Sequence, residues 1–158
     1  MHKTQEFIEN AKLLNSLGIT PLLYGSLGLE YLTGKSLNAD DIDILIPQKF
    51  LTDKWEEFQH ILSNAGHVLI DKHEHTFEKN GIHFSYAQIE ELETFASISK
   101  DDIETVASGN VSFKLLSLPQ YLKVYQASAK DGYRVNVRNK KDTEKIRFIE
   151  ELIENKTN

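Results

Sequence analysis

A short stretch of alternating acidic and apolar residues, DIDILI at positions 41–46, constrains the fold of this chain more than any other feature of its sequence. Successive side chains of a β-strand point to opposite faces, so Asp41 and Asp43 would share one face while the isoleucines share the other. The stretch therefore predicts a strand with a buried isoleucine face and a polar aspartate face. Two carboxylates this close repel each other, and a hard divalent cation between them relieves the repulsion.

A second feature lies upstream, where the apolar residues 22–24 run into Gly25-Ser26. The pattern predicts a strand, a turn of small residues and a short helix over 27–32. Backbone N–H groups at a helix start, together with the helix dipole, favour an anion such as phosphate. A Gly-Ser pair is also a common turn and cap, and clustered aspartates can be a solvated edge. The two features together outline a nucleotide site.

Length and composition limit the remaining possibilities. The 158 residues predict a single domain over 1–158, with a core to about residue 116 and a helical part over about 117–158. A formal net charge of −6 argues against a dedicated nucleic-acid surface, whereas small phosphorylated ligands that arrive with a metal remain compatible. The absence of cysteine excludes a thiol nucleophile and a cysteine-based zinc site. No apolar run approaches a membrane span, so we expect a cytoplasmic protein without a membrane partner.

The other periodic segments predict the α/β (α+β) class, with a mixed central sheet, flanking helices and C-terminal helices. Apolar residues at helical spacing predict helices over about 4–17 and 53–65 and in two segments after residue 117, with a connection over Val135–Asn139. Short apolar runs bounded by turn residues predict strands. These strands lie at about 19–24, 41–46, 67–70, 75–78, 82–87, 103–107 and 110–115.

Two motifs of the sequence resemble those of a known family. Gly25-Ser26 followed by Asp41-Ile42-Asp43-Ile44 is similar to the signature of the nucleotidyltransferase superfamily, which has the polymerase-beta-like fold. The segment LSLPQYLK at 116–123 and the run from Arg138 to Asp142 resemble the tail of small bacterial members. The resemblance implies a nucleotidyltransferase-like fold and a magnesium-dependent, nucleotide-binding transferase.

The resemblance also implies roles for individual residues. Gly25 and Ser26 would hold the triphosphate of a nucleoside triphosphate (NTP), and Asp41 and Asp43 would coordinate Mg²⁺ or Mn²⁺. The implied reaction transfers a nucleoside monophosphate to a hydroxyl and releases pyrophosphate. Lys123 would lie near the phosphates as a point charge. Lys141 and Asp142 would either brace the pocket or lie on the surface.

One departure from the family pattern concerns a third carboxylate, which catalytic members usually supply from a later central strand. The equivalent strand here is 82–86, and its site-facing residues are His83 and Ser85. A neutral His83 can still accept a proton from an acceptor hydroxyl. Other residues that could supplement the site are Ser85, Glu90, Glu91 and Asp71. The alternative is a degenerate domain that binds a nucleotide or a partner protein without turnover.

Overall fold

A computed structural model describes the backbone of residues 2–130 and 132–157, and the side chains of residues 2–130 and 142–155. It confirms the predicted α/β class, with six α-helices and seven strands among these residues. In chain order the elements are α1 His2–Ser16, β1 Leu22–Tyr24, α2 Gly25–Thr33, β2 Ile42–Ile46, α3 Trp55–Asn64, β3 Val68–Asp71, β4 Thr76–Lys79, β5 Ile82–Gln88, α4 Glu91–Ala96, β6 Glu104–Ser108, β7 Val111–Leu115, α5 Leu118–Lys130 and α6 Gly132–Thr157.

The seven strands form one mixed sheet in the order β3-β4-β5-β2-β1-β7-β6. Strands β2 and β5 pair in parallel, as do β1 and β7, and the other neighbours are antiparallel. The aspartate strand β2 is therefore central, between β5 and β1. This position explains why its isoleucine face must be fully apolar.

The chain divides into two compact units. The first comprises the residues up to Glu90 together with Glu104–Leu115, and it contains the whole sheet and helices α1 to α3. The second comprises Glu91–Ile103 and the residues from Leu116 onward, and it contains helices α4 to α6. The single domain predicted from the sequence stays a prediction.

The core of the first unit lies on the isoleucine face of β2. Side chains from α1, α3 and β5 join the three isoleucines there in one buried cluster. Aromatic rings meet edge to face within it, with centroids 5.2 Å apart for both Phe7–Phe113 and Phe58–Tyr86. Full burial of one large apolar side chain stabilises a fold by about 1.5–3 kcal/mol, so this cluster fixes which face of β2 points inward.

In the second unit, α5 begins with a reciprocal cap between Ser117 and Gln120. The Gln120 N–H donates to Ser117 Oγ at 3.3 Å, and the Ser117 N–H donates to Gln120 Oε1 at 3.0 Å. The predicted connection over Val135–Asn139 was wrong, because α6 already begins at Gly132. Tertiary context can override the weak local preference of β-branched residues against helix.

Asp142 is buried, and its Oδ2 accepts a hydrogen bond of 2.8 Å from Ser128 Oγ of α5. The surface alternative for Asp142 is therefore wrong, whereas the side chain of Lys141 lies outside the described residues. No helix in the described part of the chain is both long enough and apolar enough to cross a membrane.

Candidate functional site

The two aspartates lie where the alternation placed them. Asp43 is half-buried as the second residue of β2, and Asp41 is exposed immediately before the strand. Ile42 and Ile44, the residues between and after them, are completely buried on the other face. One central strand therefore carries a core face and a carboxylate face.

The start of α2 lies directly against Asp43. Helix α2 begins at Gly25 itself, so the predicted small-residue turn before the helix was wrong, and Ser26 is in its first turn. The preceding Tyr24 is extended, with φ −108° and ψ 178°, and its side chain makes no capping hydrogen bond. Tyr24 also pairs with Asp43 across the antiparallel β1–β2 ladder. This pairing brings the N-terminus of a helix beside a carboxylate.

Gly25 is required at this junction for two reasons. Its φ of +64° lies in the left-handed region, which residues with a Cβ rarely adopt. A Cβ placed on Gly25 would also lie 2.6 Å from Asp43 Oδ2. Glycine therefore fits this backbone and lets the helix start and the carboxylate approach closely, whereas a Cβ would force the Asp43 side chain to shift.

Ser85 occupies the strand position beside Asp43, since Asp43 and Ser85 are partners in the parallel β2–β5 ladder. Thr76 follows on the next strand, paired with Ser85, and the two hydroxyl oxygens are 2.8 Å apart. Thr76 is itself buried. The position where the family resemblance expected a third carboxylate therefore carries a neutral, hydrogen-bonded hydroxyl pair.

His83 lies two residues before Ser85 on the same face of β5, between two acidic side chains. Its Nε2 is 3.2 Å from Glu78 Oε2, and its Nδ1 is 3.8 Å from Asp41 Oδ1. All three side chains are between 42% and 51% exposed, so solutes can reach them. The structure thus brings Asp41, Asp43, His83 and Ser85 together on one sheet face.

Glu78 is the residue that the sequence reasoning missed. It faces His83 because β4 and β5 pair Lys79 with Ile82 across a two-residue turn at Asn80-Gly81. Both turn residues have positive φ, +54° and +77°, as a tight hairpin of this kind requires. The Asn-Gly dipeptide was the available signal, because a two-residue turn sets the register that pairs Glu78 with His83.

Two other candidate carboxylates of the first unit lie away from Asp43. Glu90 follows the opposite end of β5, where its Oε1 accepts a hydrogen bond of 3.0 Å from the Gln48 N–H. Asp71 is on the edge strand β3, three strands from β2, and its Oδ1 accepts from the Glu74 N–H at 3.1 Å. Three strand spacings amount to about 14 Å, so Asp71 does not join the pair.

Lys123 and Glu91 belong to the second unit. Lys123 is exposed and lines a groove of that unit together with Lys130 of the same helix. Among the described residues, no group of three or more His, Asp or Glu side chains could hold a metal ion by itself. Asp41 and Asp43 therefore remain a two-carboxylate donor set.

Two buried groups with shifted pKa values lie on the core side rather than at this site. Burial lowers the pKa of His67 to about 4, the positive charge of Lys79 adds to the shift, and Glu6 opposes it. Burial raises the pKa of Tyr86, although a hydrogen bond of 2.7 Å from Asn10 Nδ2 opposes the change. Neither group is available for proton transfer at the aspartate face.

Comparison with known proteins identifies a relative in bacteria. The chain is 42% identical over 151 residues to the uncharacterised protein YnaI of Bacillus subtilis strain 168, which covers 95% of this chain and 97% of YnaI. No protein-family model matches the chain.

Two solved structures are similar in fold. An antigenic nucleotidyltransferase-like protein from Paracoccidioides brasiliensis matches 90% of this chain and 72% of its own, with a TM-score of 0.62 and 16% identity. The antibiotic-resistance factor ANT(2'')-Ia matches 99% of this chain and 95% of its own, with a TM-score of 0.57 and 14% identity. The fold is therefore nucleotidyltransferase-like, as the sequence resemblance predicted.

Proposed function

Because the chain belongs to the family of the Bacillus subtilis protein YnaI and has a nucleotidyltransferase-like fold, we propose that it is a metal-dependent nucleotidyltransferase. It would move a nucleoside monophosphate from an NTP to a hydroxyl of a small-molecule acceptor, or of a protein or RNA. The observation that carries this proposal is the contact between the start of α2 and Asp43, on the strand face that Asp41 extends.

Charge explains why that contact favours a metal-bound nucleotide. The first turn of α2, at Gly25 and Ser26, provides N–H groups and a positive helix end for a phosphate. A phosphate bound there would meet the Asp43 carboxylate, which the Gly25 backbone lets approach closely. Two negative groups at one place repel each other unless a cation lies between them. The arrangement thus suits a triphosphate together with a divalent ion.

The donor set fits Mg²⁺, or Mn²⁺ in its place. Mg²⁺ is commonly held by one or two carboxylates plus substrate phosphates, with water as the remaining ligand. Asp41 and Asp43 would supply the two carboxylates. A bound metal would neutralise charge on the attacking and leaving oxygens of an in-line displacement.

His83 would accept the proton. It would take the proton of the acceptor hydroxyl through its imidazole, since it lies on the aspartate face beside Asp41. The reaction would take place in the bacterial cytoplasm, and the acidic net charge favours a small acceptor over nucleic acid.

Thermal unfolding in the presence of each NTP and Mg²⁺ tests this proposal. A ligand at a hundred times its Kd adds about 2.7 kcal/mol of stability, which raises the Tm of a protein of this size by several degrees. We expect that shift in the wild type and in Asp53→Asn, an exposed residue outside the site. Asp41→Asn and Asp43→Asn should abolish it. No shift with any nucleotide, or a shift that both site variants retain, contradicts the proposal.

A second candidate function is nucleotide or partner binding without turnover. The observation that favours it is the neutral Ser85–Thr76 hydroxyl pair at the third-carboxylate position. Pyrophosphate release separates the two functions, because both predict a nucleotide-induced Tm shift but only the transferase predicts pyrophosphate with a hydroxyl acceptor. If the protein binds an NTP but releases no pyrophosphate with any acceptor of a broad panel, the result supports the second function.

A further inference from the structure

We propose that Glu78 is a positioning residue that holds the His83 imidazole with its Nδ1 unprotonated and directed toward the acceptor hydroxyl. The proposal rests on the nucleotidyltransferase function, in which His83 accepts the proton. The group is formed at three neighbouring strands, with Glu78 on β4, His83 on β5 and Asp41 immediately before β2. No part of this group depends on the position of the second unit.

The distances from the two ring nitrogens of His83 to the neighbouring carboxylates indicate which nitrogen carries the proton when the ring is neutral. Nε2 lies 3.2 Å from Glu78 Oε2, within hydrogen-bonding range, whereas Nδ1 lies 3.8 Å from Asp41 Oδ1, beyond it. A carboxylate can only accept, so Nε2 must donate to Glu78. In a neutral imidazole the other nitrogen is then the acceptor. Glu78 thereby leaves Nδ1 as the basic atom on the side of Asp41.

The register of the hairpin makes this arrangement specific. Glu78 and His83 are direct cross-strand partners, and both point to the face that carries Asp43 and Ser85. Ser85 and Thr76 are uncharged and hydrogen-bonded to each other, so neither supplies a carboxylate to this face. Glu78 on the neighbouring strand β4 does, and it lies within hydrogen-bonding distance of His83. Glu78 thus places a carboxylate on this face, where it contacts the His83 imidazole.

The transfer step forms one bond at the α-phosphorus, breaks another and moves one proton. The acceptor oxygen forms a bond to the α-phosphorus of the NTP, and its proton passes to His83 Nδ1. The bond from the α-phosphorus to the bridging oxygen breaks, and pyrophosphate leaves with that electron pair. The imidazolium that forms is stabilised by the Glu78 carboxylate, in the role that the aspartate has in a Ser-His-Asp triad.

Nitrogen-15 NMR of the His83 imidazole in metal-free protein tests the positioning directly. At pH 8.5, where free imidazole is neutral, we expect the Nε2–H tautomer in the wild type. Glu78→Ala removes the acceptor of Nε2–H and keeps the Asp41 carboxylate on the Nδ1 side, so the population should shift toward Nδ1–H. Glu78→Gln, which keeps an oxygen acceptor, should restore Nε2–H. Glu57→Gln, an exposed change of the same charge on α3, should match the wild type.

Kinetics provide the second readout. Glu78→Ala should lower kcat about 10- to 100-fold, less than loss of the base itself, while KM for the NTP changes little. A tautomer that Glu78→Ala leaves unchanged, or a loss confined to KM, overturns the positioning role. The tautomer could shift in Glu78→Ala while neither the wild type nor any variant binds a nucleotide. That result would support the positioning of His83 and contradict the transferase function. The two failures are therefore distinguishable.

Discussion

The two faces of strands β2 and β5 differ around Asp43 and His83, although their residues alternate along the same backbone. On one face Ile42, Ile44 and Phe84 are fully buried in the apolar core cluster, and the Phe84 ring also contacts the His67 ring. On the other face Asp43 and His83 are at least partly exposed and lie among polar side chains. Stability and chemistry therefore depend on opposite faces, so single substitutions one residue apart should separate them.

The largest effect on stability should come from the core face. Phe84→Ala should reduce the free energy of unfolding by about 3–5 kcal/mol, because it removes a buried aromatic ring and leaves a cavity. Its neighbour Ser85→Ala removes one side of a hydroxyl pair and should cost about 1 kcal/mol. Urea unfolding of both variants measures the difference. Equal losses would show that the two faces contribute alike to stability and would contradict this division.

The next effect concerns the buried His67, which packs against the Phe84 ring with centroids 4.9 Å apart. Its pKa is about 4 in the folded protein and near 6.5 when unfolded, so the unfolded state binds a proton first as the pH falls. Stability should therefore be fully present above pH 6.5 and decrease between pH 6.5 and 4, by about 3 kcal/mol in total.

His67→Phe should flatten the slope of unfolding free energy against pH by about one proton in that range. His60→Gln, on the exposed side of α3, should leave the slope as in the wild type. Urea unfolding at half-unit pH intervals measures the slope. If His67→Phe keeps the wild-type slope, burial of the neutral ring is not the source of acid sensitivity on the core face.

A smaller effect on stability should come from the junction between α2 and β2. Gly25→Ala and Gly109→Ala impose the same kind of backbone strain, with φ +64° and +62°, but only Gly25 has a side chain within contact of its new Cβ. The common strain should cost about 1 kcal/mol in each, and Gly25→Ala should cost about 1–2 kcal/mol more. Thermal unfolding with and without NTP and Mg²⁺ checks both, and only Gly25→Ala should lose the ligand-induced shift. Indistinguishable variants would place the phosphate site elsewhere.

Much of this comparison could be predicted from the sequence because its signals are local. The alternation from Asp41 to Ile46 indicates which residues of β2 face the core. The Ser-x-x-Gln spacing of Ser117 and Gln120 is typical of a helix start, and α5 begins there. The register of the β4–β5 hairpin is harder to predict, because the predicted strands at about 75–78 and 82–87 leave three residues for the turn. The actual two-residue turn pairs Glu78 with His83.

Other features depend on tertiary contacts that one sequence does not encode locally. The need for Gly25 arises from its approach to Asp43, a residue on a different strand, although Gly-Ser by itself indicates only a turn. Helix α4 spans six residues, too few for a clear helical period. The burial of Asp142 against Ser128 likewise follows from the packing of two helices and not from the residue type.

The most direct test of the account replaces Mg²⁺ with paramagnetic Mn²⁺, which broadens the NMR signals of nearby backbone amides in nitrogen-15-labelled protein. In the presence of an NTP, we predict the strongest broadening at residues 25–27 and 41–43, and its loss in Asp43→Asn. Ile44→Val, one residue away on the core face, should lower the Tm by a small amount and keep the broadening pattern. Broadening centred on another part of the chain, or a pattern that Asp43→Asn leaves unchanged, would contradict the claim that nucleotide and metal meet at the start of α2.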